Sequence, residues 1–148
     1  MTERKPNIVF VLADDMGAWA LGHAGNKEVL TPNLDNLADG GIRLENFFCA
    51  SPVCSPARAS IVTGRIPSQH GVHDWIRGGN VSREDLDEKM RMKSRYKGET
   101  TAVEYLADQL AYTEVLKEAG YSCALSGKWH LGDSKVVQKG FDRWFTHS

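Results

Sequence analysis

The sequence predicts an α/β fold, a mostly parallel sheet flanked by helices. Three observations carry that expectation. Ile8 to Ala13 is an unbroken apolar run rich in β-branched residues, the pattern of a strand buried on both faces of a parallel sheet. Helix signals with their own start and stop residues follow it. Further strand-like runs alternate with those helices, giving strand, helix, strand, helix, strand.

Taken in order, the first strand ends at Asp14-Asp15. Thr31-Pro32-Asn33 then opens a helix, with Thr31 at the N-cap and Pro32 in the first helical position. Leu34, Leu37 and Ala38 fall on one face of it, and Gly40-Gly41 stops it. Ile42 to Phe48 reads as a second strand. Pro52 to Arg65 reads as a loop entering a short helix, and Pro67 to Gly79, rich in Gly, His and turn residues, as loop. Arg83 to Lys97 is highly charged, a solvent-facing stretch with a weak helical pattern.

Thr101-Ala102-Val103-Glu104 matches a capping box. Val103, Leu106, Ala107, Leu110 and Ala111 then recur at amphipathic-helix spacing. That helix continues, or restarts at Thr113, through Leu116 to Ala119, and Gly120 ends it. Tyr121 to Leu125 reads as a third strand, followed by a loop over Gly127 to Gly132.

The bulk properties narrow the function classes. The 148 residues make about one domain, enough for a single core. A net charge of -1 gives no reason to expect a nucleic acid or an acidic membrane as partner. No apolar run approaches the ~20 residues of a membrane helix. The short apolar stretch after Pro6 reads as a strand and not as a secretory signal. The expected location is cytoplasmic for the chain as it stands, and periplasmic or secreted where a leader has been removed. Three cysteines with no paired spacing argue against a disulfide framework or a zinc knuckle, and Cys49 and Cys123 read as buried free thiols.

Chemistry-bearing residues gather after strands and at helix starts, where ligands collect in open α/β sheets. Asp14-Asp15 offers paired carboxylates suited to a hard divalent cation, or simply a turn after a strand. Pro56 fits the first turn of a helix and so places Cys54 near a helix N-terminus, where partial positive charge favours an anion. Arg58 lies one turn on, on the same face, with a fork that binds oxyanions. Local chemistry leaves Cys54 equally a lowered-pKa thiolate or a small buried thiol. Lys128 and His130 alternate along an extended segment and so can point to one side. Lys suits a sulfate or phosphate, and His moves protons. His70 and His73 line a pocket or bind a metal at this spacing, or are loop histidines without a chemical role. Asn80-Val81-Ser82 is a formal glycosylation acceptor that matters only after secretion.

Together these segments resemble the type I, formylglycine-dependent sulfatases of the alkaline-phosphatase-like superfamily. Pro52-Val53-Cys54-Ser55-Pro56-Ala57-Arg58 through Thr63-Gly64-Arg65 is similar to the family's first signature, and Gly120-Tyr121 through Gly127-Lys128-Trp129-His130 to its second. The segments Pro6 to Asp15, Thr31 to Asp35 and Lys139 to Asp142 are similar too, so the resemblance runs from about Pro6 to Trp144. One position departs from the pattern: Cys123 stands where the family prefers Ser or Thr, inside the expected third strand.

The resemblance implies a sulfuric ester hydrolase. Cys54 is oxidised by a maturation enzyme to Cα-formylglycine, whose hydrate attacks sulfur. Pro56 and Arg58 belong to the maturation motif, and Arg58 steadies the hydrate. Asp14, Asp15 and the modified Cys54 hold Ca²⁺ or Mg²⁺. Lys128 contacts sulfate, and His130 hydrogen-bonds the hydrate or sulfate oxygens. The substrate is a sulfate ester, with sulfated carbohydrate among the options. Family members are several times longer, and their second half supplies a further Asp-Asn metal pair, another Lys and another His. Residues 1–148 thus look like the N-terminal part of a sulfatase catalytic domain, an incomplete one. The alternatives are a phosphonate or phosphate monoester hydrolase of the same superfamily, or a non-catalytic fragment.

Overall fold

The computed structural model describes residues 4–76 and 104–147. The expected helix over Arg83 to Lys97, the Asn80-Val81-Ser82 acceptor and most of the capping box at Thr101 lie outside those residues. The chain divides into two compact units, Met1–Phe47 and Phe48–Ser148.

The first unit is built on helix α1, Pro32–Asp39. Thr31 occupies the N-cap as the sequence predicts, but its hydroxyl does not cap the helix. It accepts the Gly22 N–H at 2.8 Å and donates to Asp35 Oδ1 at 3.0 Å. Asp35 also accepts the His23 N–H at 2.7 Å, so α1 is tied to the short 3₁₀ turns Ala18–Ala20 and Gly22–Ala24. Leu34, Leu37 and Ala38 share a face, as expected, and line an open cleft of about 410 Å³ with Met16, Leu21 and Ile42.

Neither strand expected in this part of the chain forms. Residues 8–13 and 42–48 carry no ladder, and Val9, Val11 and Ile42 are 85%, 84% and 92% exposed. The reason is physical: a strand is stabilised by backbone bonds to a neighbour, and apolar composition supplies none. Among the described residues one ladder forms, and it lies in the second unit.

That ladder joins β1, Ala124–Lys128, to β2, Arg143–His147, in parallel, with Ala124 opposite Arg143 and Lys128 opposite His147. The fold is α/β, with parallel strands and helices, in agreement with the sequence. Around the ladder stand α2, Cys54–Thr63, α3, Pro67–His70, and α4, Tyr112–Glu118. Ala59 and Val62 from α2, Leu106, Trp129, Leu131 and Phe141 form the core. The Trp129 ring meets Trp144 and Phe141 edge-on, with centroids 5.2 Å and 6.1 Å away. Cys123 N–H donates to Asp142 Oδ2 at 2.9 Å and Asp142 N–H to the Cys123 carbonyl at 2.7 Å, which fixes where the two strands start. Lys117 pairs with Asp142 at 2.8 Å and, with the Cys123 amide, holds that carboxyl below its usual range.

Several elements depart from the sequence reading. The strand expected at Tyr121 to Leu125 begins at Ala124 and runs through Gly127 and Lys128, because β2 pairs there. Cys123 therefore precedes the strand instead of lying inside it. β2 itself had no counterpart in the sequence reading. The amphipathic helix expected from Val103 is a turn over residues 105–108, and the helix starts only at Tyr112. Tertiary bonds outcompete helical ones there. Tyr105 N–H reaches the Leu131 carbonyl, Glu104 bridges to Gly132, and Lys139 Nζ donates to the Gln109 carbonyl at 2.8 Å. Glu114 then takes the Ala111 N–H at 2.8 Å and opens α4, which Gly120 ends with φ 86°. The stretch read as loop after Pro67 contains α3, opened by that proline and stopped by Gly71 at φ 81°. Cys49 is exposed, contrary to expectation, whereas Cys123 is buried.

Candidate active site

Cys54 is the first residue of α2, with Val53 at the N-cap in extended conformation. The Ala57 N–H makes the first helical bond, to the Val53 carbonyl, at 2.9 Å. The first-turn amides have no intrahelical acceptor, so this end of α2 favours negative charge, as the Pro56 signal predicts. Gly64, left-handed at φ 67°, closes the helix. Cys54 is half-buried.

Arg58 stands one turn further on. Its guanidinium Nη1 donates to the backbone carbonyl of Lys128 at 2.7 Å. The signature helix and the C-terminal end of β1 are thereby joined, bringing together two residues 70 positions apart. The sequence reading gave Arg58 an oxyanion-binding fork; in the structure one arm of the fork holds protein instead.

Lys128 is the last residue of β1, not part of a loop, and Trp129 N–H donates to the His147 carbonyl at 3.4 Å. The extension stops there. His130 sits in the left-handed region at φ 59°, so the simple alternation expected for Lys128 and His130 does not hold. His130 is almost fully buried, and its Nε2 lies 3.0 Å from the Ile76 carbonyl. A carbonyl only accepts, so Nε2 carries the proton, and in the neutral ring Nδ1 holds the lone pair. Trp75 packs edge-on against the imidazole, with centroids 5.6 Å apart. The Ile76 N–H donates to Ser55 Oγ at 3.2 Å. Ser55, Trp75 and Ile76 were not singled out from the sequence. Ser55 stood inside a motif as a spacer, and nothing in the chain marks the 75–76 loop as its partner.

His70 has a structural place. Its Nδ1 accepts the Val72 N–H at 3.1 Å, which requires the proton on Nε2, 3.0 Å from Ser60 Oγ. A ring in that state donates to the serine and cannot take its proton, so the pair is no nucleophile and base. Burial lowers the His70 pKa and nearby His73 adds to that, against backbone hydrogen bonds that raise it. His73 is exposed. Burial pushes the Cys123 thiol up, as does Asp142, with Lys117 opposing, so Cys123 is an inert packing thiol.

Asp14 and Asp15 lie in the first unit, both exposed, with Asp15 left-handed at φ 58°. Their oxygens are the donors a hard cation takes. Ca²⁺ binds about six to eight oxygens, and among the described residues no group of three or more His, Cys, Asp or Glu side chains gathers to hold one. The donor chemistry suits the metal and the number falls short, so these residues do not by themselves make the site. No helix among the described residues is long and apolar enough to cross a membrane.

Comparison with known proteins bears on this arrangement. The sulfatase family model matches residues 6–148. The chain is 41% identical to human steryl-sulfatase over 130 residues, covering 88% of this chain and 20% of that protein. It is 36% identical to N-acetylgalactosamine-6-sulfatase from Canis lupus familiaris over 143 residues, covering 95% of this chain and 25% of that protein. The chain thus spans about a fifth to a quarter of the length of these relatives. Among solved structures, BT4656 in complex with its substrate D-glucosamine-2-N,6-O-disulfate aligns with TM-score 0.69 and 29% identity, over 94% of this chain and 22% of that one. Ps i-CgsB aligns with TM-score 0.70 and 30% identity, over 97% and 29%.

Proposed function

Because the chain belongs to the sulfatase family, we propose that residues 1–148 are the N-terminal part of a sulfuric ester hydrolase's catalytic domain and carry its nucleophile. The observation that supports this best is the setting of Cys54. It opens α2 at the positive helix end, inside Cys54-Ser55-Pro56-Ala57-Arg58, and Arg58 ties that helix to the strand end bearing Lys128.

In this reading a maturation enzyme converts Cys54 to Cα-formylglycine. When present, the hydrated aldehyde supplies an oxygen nucleophile and a divalent cation, Ca²⁺ or Mg²⁺, polarises the sulfate. Asp14 and Asp15 would offer carboxylates to such a cation, which needs further oxygen donors besides these two. The chain's own part is better defined. The amides at the start of α2 favour the sulfate's negative charge. Arg58 holds the Lys128 backbone in place, and Lys128 offers its ammonium to the sulfate. His130, with its proton on Nε2, keeps Nδ1 as the atom that can accept a proton or a hydroxyl hydrogen bond. The substrate is a sulfate ester, and the sulfated sugar carried by the BT4656 structure motivates a sulfated carbohydrate.

Mass spectrometry of the peptide spanning Cys54, after co-expression with a formylglycine-generating enzyme, tests the reading. Conversion of the thiol to the aldehyde is expected, and an intact thiol throughout would count against it. Assay of a full-length polypeptide containing this chain against sulfate and phosphate monoesters tests the reaction class. A preference for the phosphate ester would overturn it. The 148-residue chain alone, which spans about a fifth to a quarter of its sulfatase relatives, is expected to show little or no turnover.

A further inference from the structure

Within the signature helix, the Ser55 hydroxyl has a defined task. It is fully buried, and its Oγ accepts the Ile76 N–H at 3.2 Å. The carbonyl of the same Ile76 accepts the proton of His130 Nε2 at 3.0 Å. Ile76 and His130 are buried too, so both bonds are shielded from water. One peptide residue thus receives its position from the helix that begins with Cys54 and passes it on to the imidazole. The Trp75 ring limits the imidazole's tilt from the edge-on side. His130 stands at φ 59°, a conformation that its own backbone does not favour and that needs surrounding contacts to hold it.

We propose that Ser55 is a positioning residue for His130, acting through the Ile76 backbone to fix the ring's orientation and its Nε2–H tautomer. The inference deepens the sulfatase reading and rests on it only for what His130 is positioned to do. Without the Ser55 hydroxyl the Ile76 amide loses its acceptor, the loop relaxes, and the carbonyl no longer pins Nε2–H. Nδ1 then ceases to be the defined acceptor. Side-chain bonds two steps from a reacting atom set a ring's tautomer in the same way around metal-bound histidines.

The test reads the ring itself, in the intact 148-residue chain labelled with ¹⁵N, by NMR of the histidine nitrogens and of hydrogen exchange. In the unsubstituted chain His130 is expected as a single Nε2–H tautomer with a slowly exchanging ring proton, and the Ile76 amide is expected to be protected. An Nδ1–H tautomer, or a freely exchanging Ile76 amide, would overturn the proposal before any substitution is made. Ser55→Ala is expected to speed exchange of both protons about tenfold, the scale of one buried hydrogen bond. Ser55→Thr, which keeps the hydroxyl, is expected to restore them. The His70 ring, held by Val72 and Ser60 and not by Ser55, is the internal control. Equal acceleration at His70 and His130, or no difference between the Ala and Thr variants, would show a merely structural role. Because none of these readouts needs the aldehyde or turnover, an intact Cys54 thiol would sink the sulfatase reading and leave this one standing.

Discussion

Arg58 in the signature helix and His70 in α3 show how differently two polar residues are employed. Arg58 spends one guanidinium nitrogen on the Lys128 carbonyl, a charge-assisted bond across 70 residues of chain. Replacing it with methionine keeps the stem and removes the donor. Arg58→Met is expected to lower stability by about 1–3 kcal/mol in urea unfolding. Arg58→Lys should recover only part of that, since a point charge does not reproduce the fork. No loss in either variant would mean that the bond does not join α2 to β1. His70 is held neutral, with Nδ1 accepting an amide proton, so its folded pKa lies below the ordinary 6.5. The unfolded chain therefore binds the proton more readily than the folded one. Stability is complete above pH 6.5 and falls as the pH drops from there towards the lowered folded value, where the loss levels off. His70→Asn keeps an acceptor near Nδ1 and cannot titrate. The difference between wild-type and His70→Asn stability, followed between pH 7 and 5 by chemical denaturation, is expected to shrink or change sign on the acid side. A difference independent of pH would show that His70 is not the titrating group.

At the level of elements, what was legible from sequence was punctuation. Thr31-Pro32 before α1, Pro56 in the first turn of α2 and Gly120 after α4 all stand where their backbone preferences place them. Apolar runs were less informative. The run at Ile8 to Ala13 pairs with nothing described, whereas β2, with its plainer sequence, is a real strand because β1 lies beside it. Strand formation depends on a partner far away in sequence, which no local pattern contains. The Val103 to Ala111 pattern failed for a related reason: Leu106 enters the core from a turn stitched to residues 131 and 139, and Ala111 enters it from the N-cap of α4. In the candidate site, Cys54, Arg58, Lys128 and His130 are singled out by their motifs and the family resemblance they carry. Ser55 and Ile76 were not, since their link spans 21 residues and one side of it is backbone. One glycine shows what such close packing demands. Gly140 is left-handed at φ 75°, and a Cβ there would lie 3.0 Å from the Glu114 Cα and backbone nitrogen, in the first turn of α4. Gly140→Ala therefore combines strain with a clash against main chain. It is expected to cost about 1–3 kcal/mol, read as a lowered thermal midpoint by circular dichroism. An unchanged midpoint would mean that α4 is not seated against the loop before β2.

For the molecule as a whole, the two units differ in kind. Leu106, Trp129, Leu131 and Phe141 give the second unit a packed core, each no more than 7% exposed. Residues 4–47 contain no buried residue at all. Phe10, Trp19 and Phe47 there are 61%, 75% and 80% exposed, and the cleft beside α1 is open. Apolar surface of this extent belongs to elements that bury against another layer. Within the first unit, hydrogen bonds stand in for a core: those among Gly22, His23, Thr31 and Asp35, the bond from Asn26 to the Trp19 carbonyl, and the bond from Arg43 to the His23 carbonyl. Segments with few buried contacts open at far lower free energy than the cores they accompany. In limited digestion of the 148-residue chain with chymotrypsin under native conditions, cleavage is accordingly expected first after Phe10, Trp19 and Phe47. Trp129 and Phe141 should remain intact in a fragment that still carries β1 and β2. Mass spectrometry of the time course gives the order of cuts. Early cleavage at Trp129 or Phe141, at rates equal to those at Phe10 and Trp19, would contradict a stability confined to the second unit. Such a result would place the persistent core elsewhere.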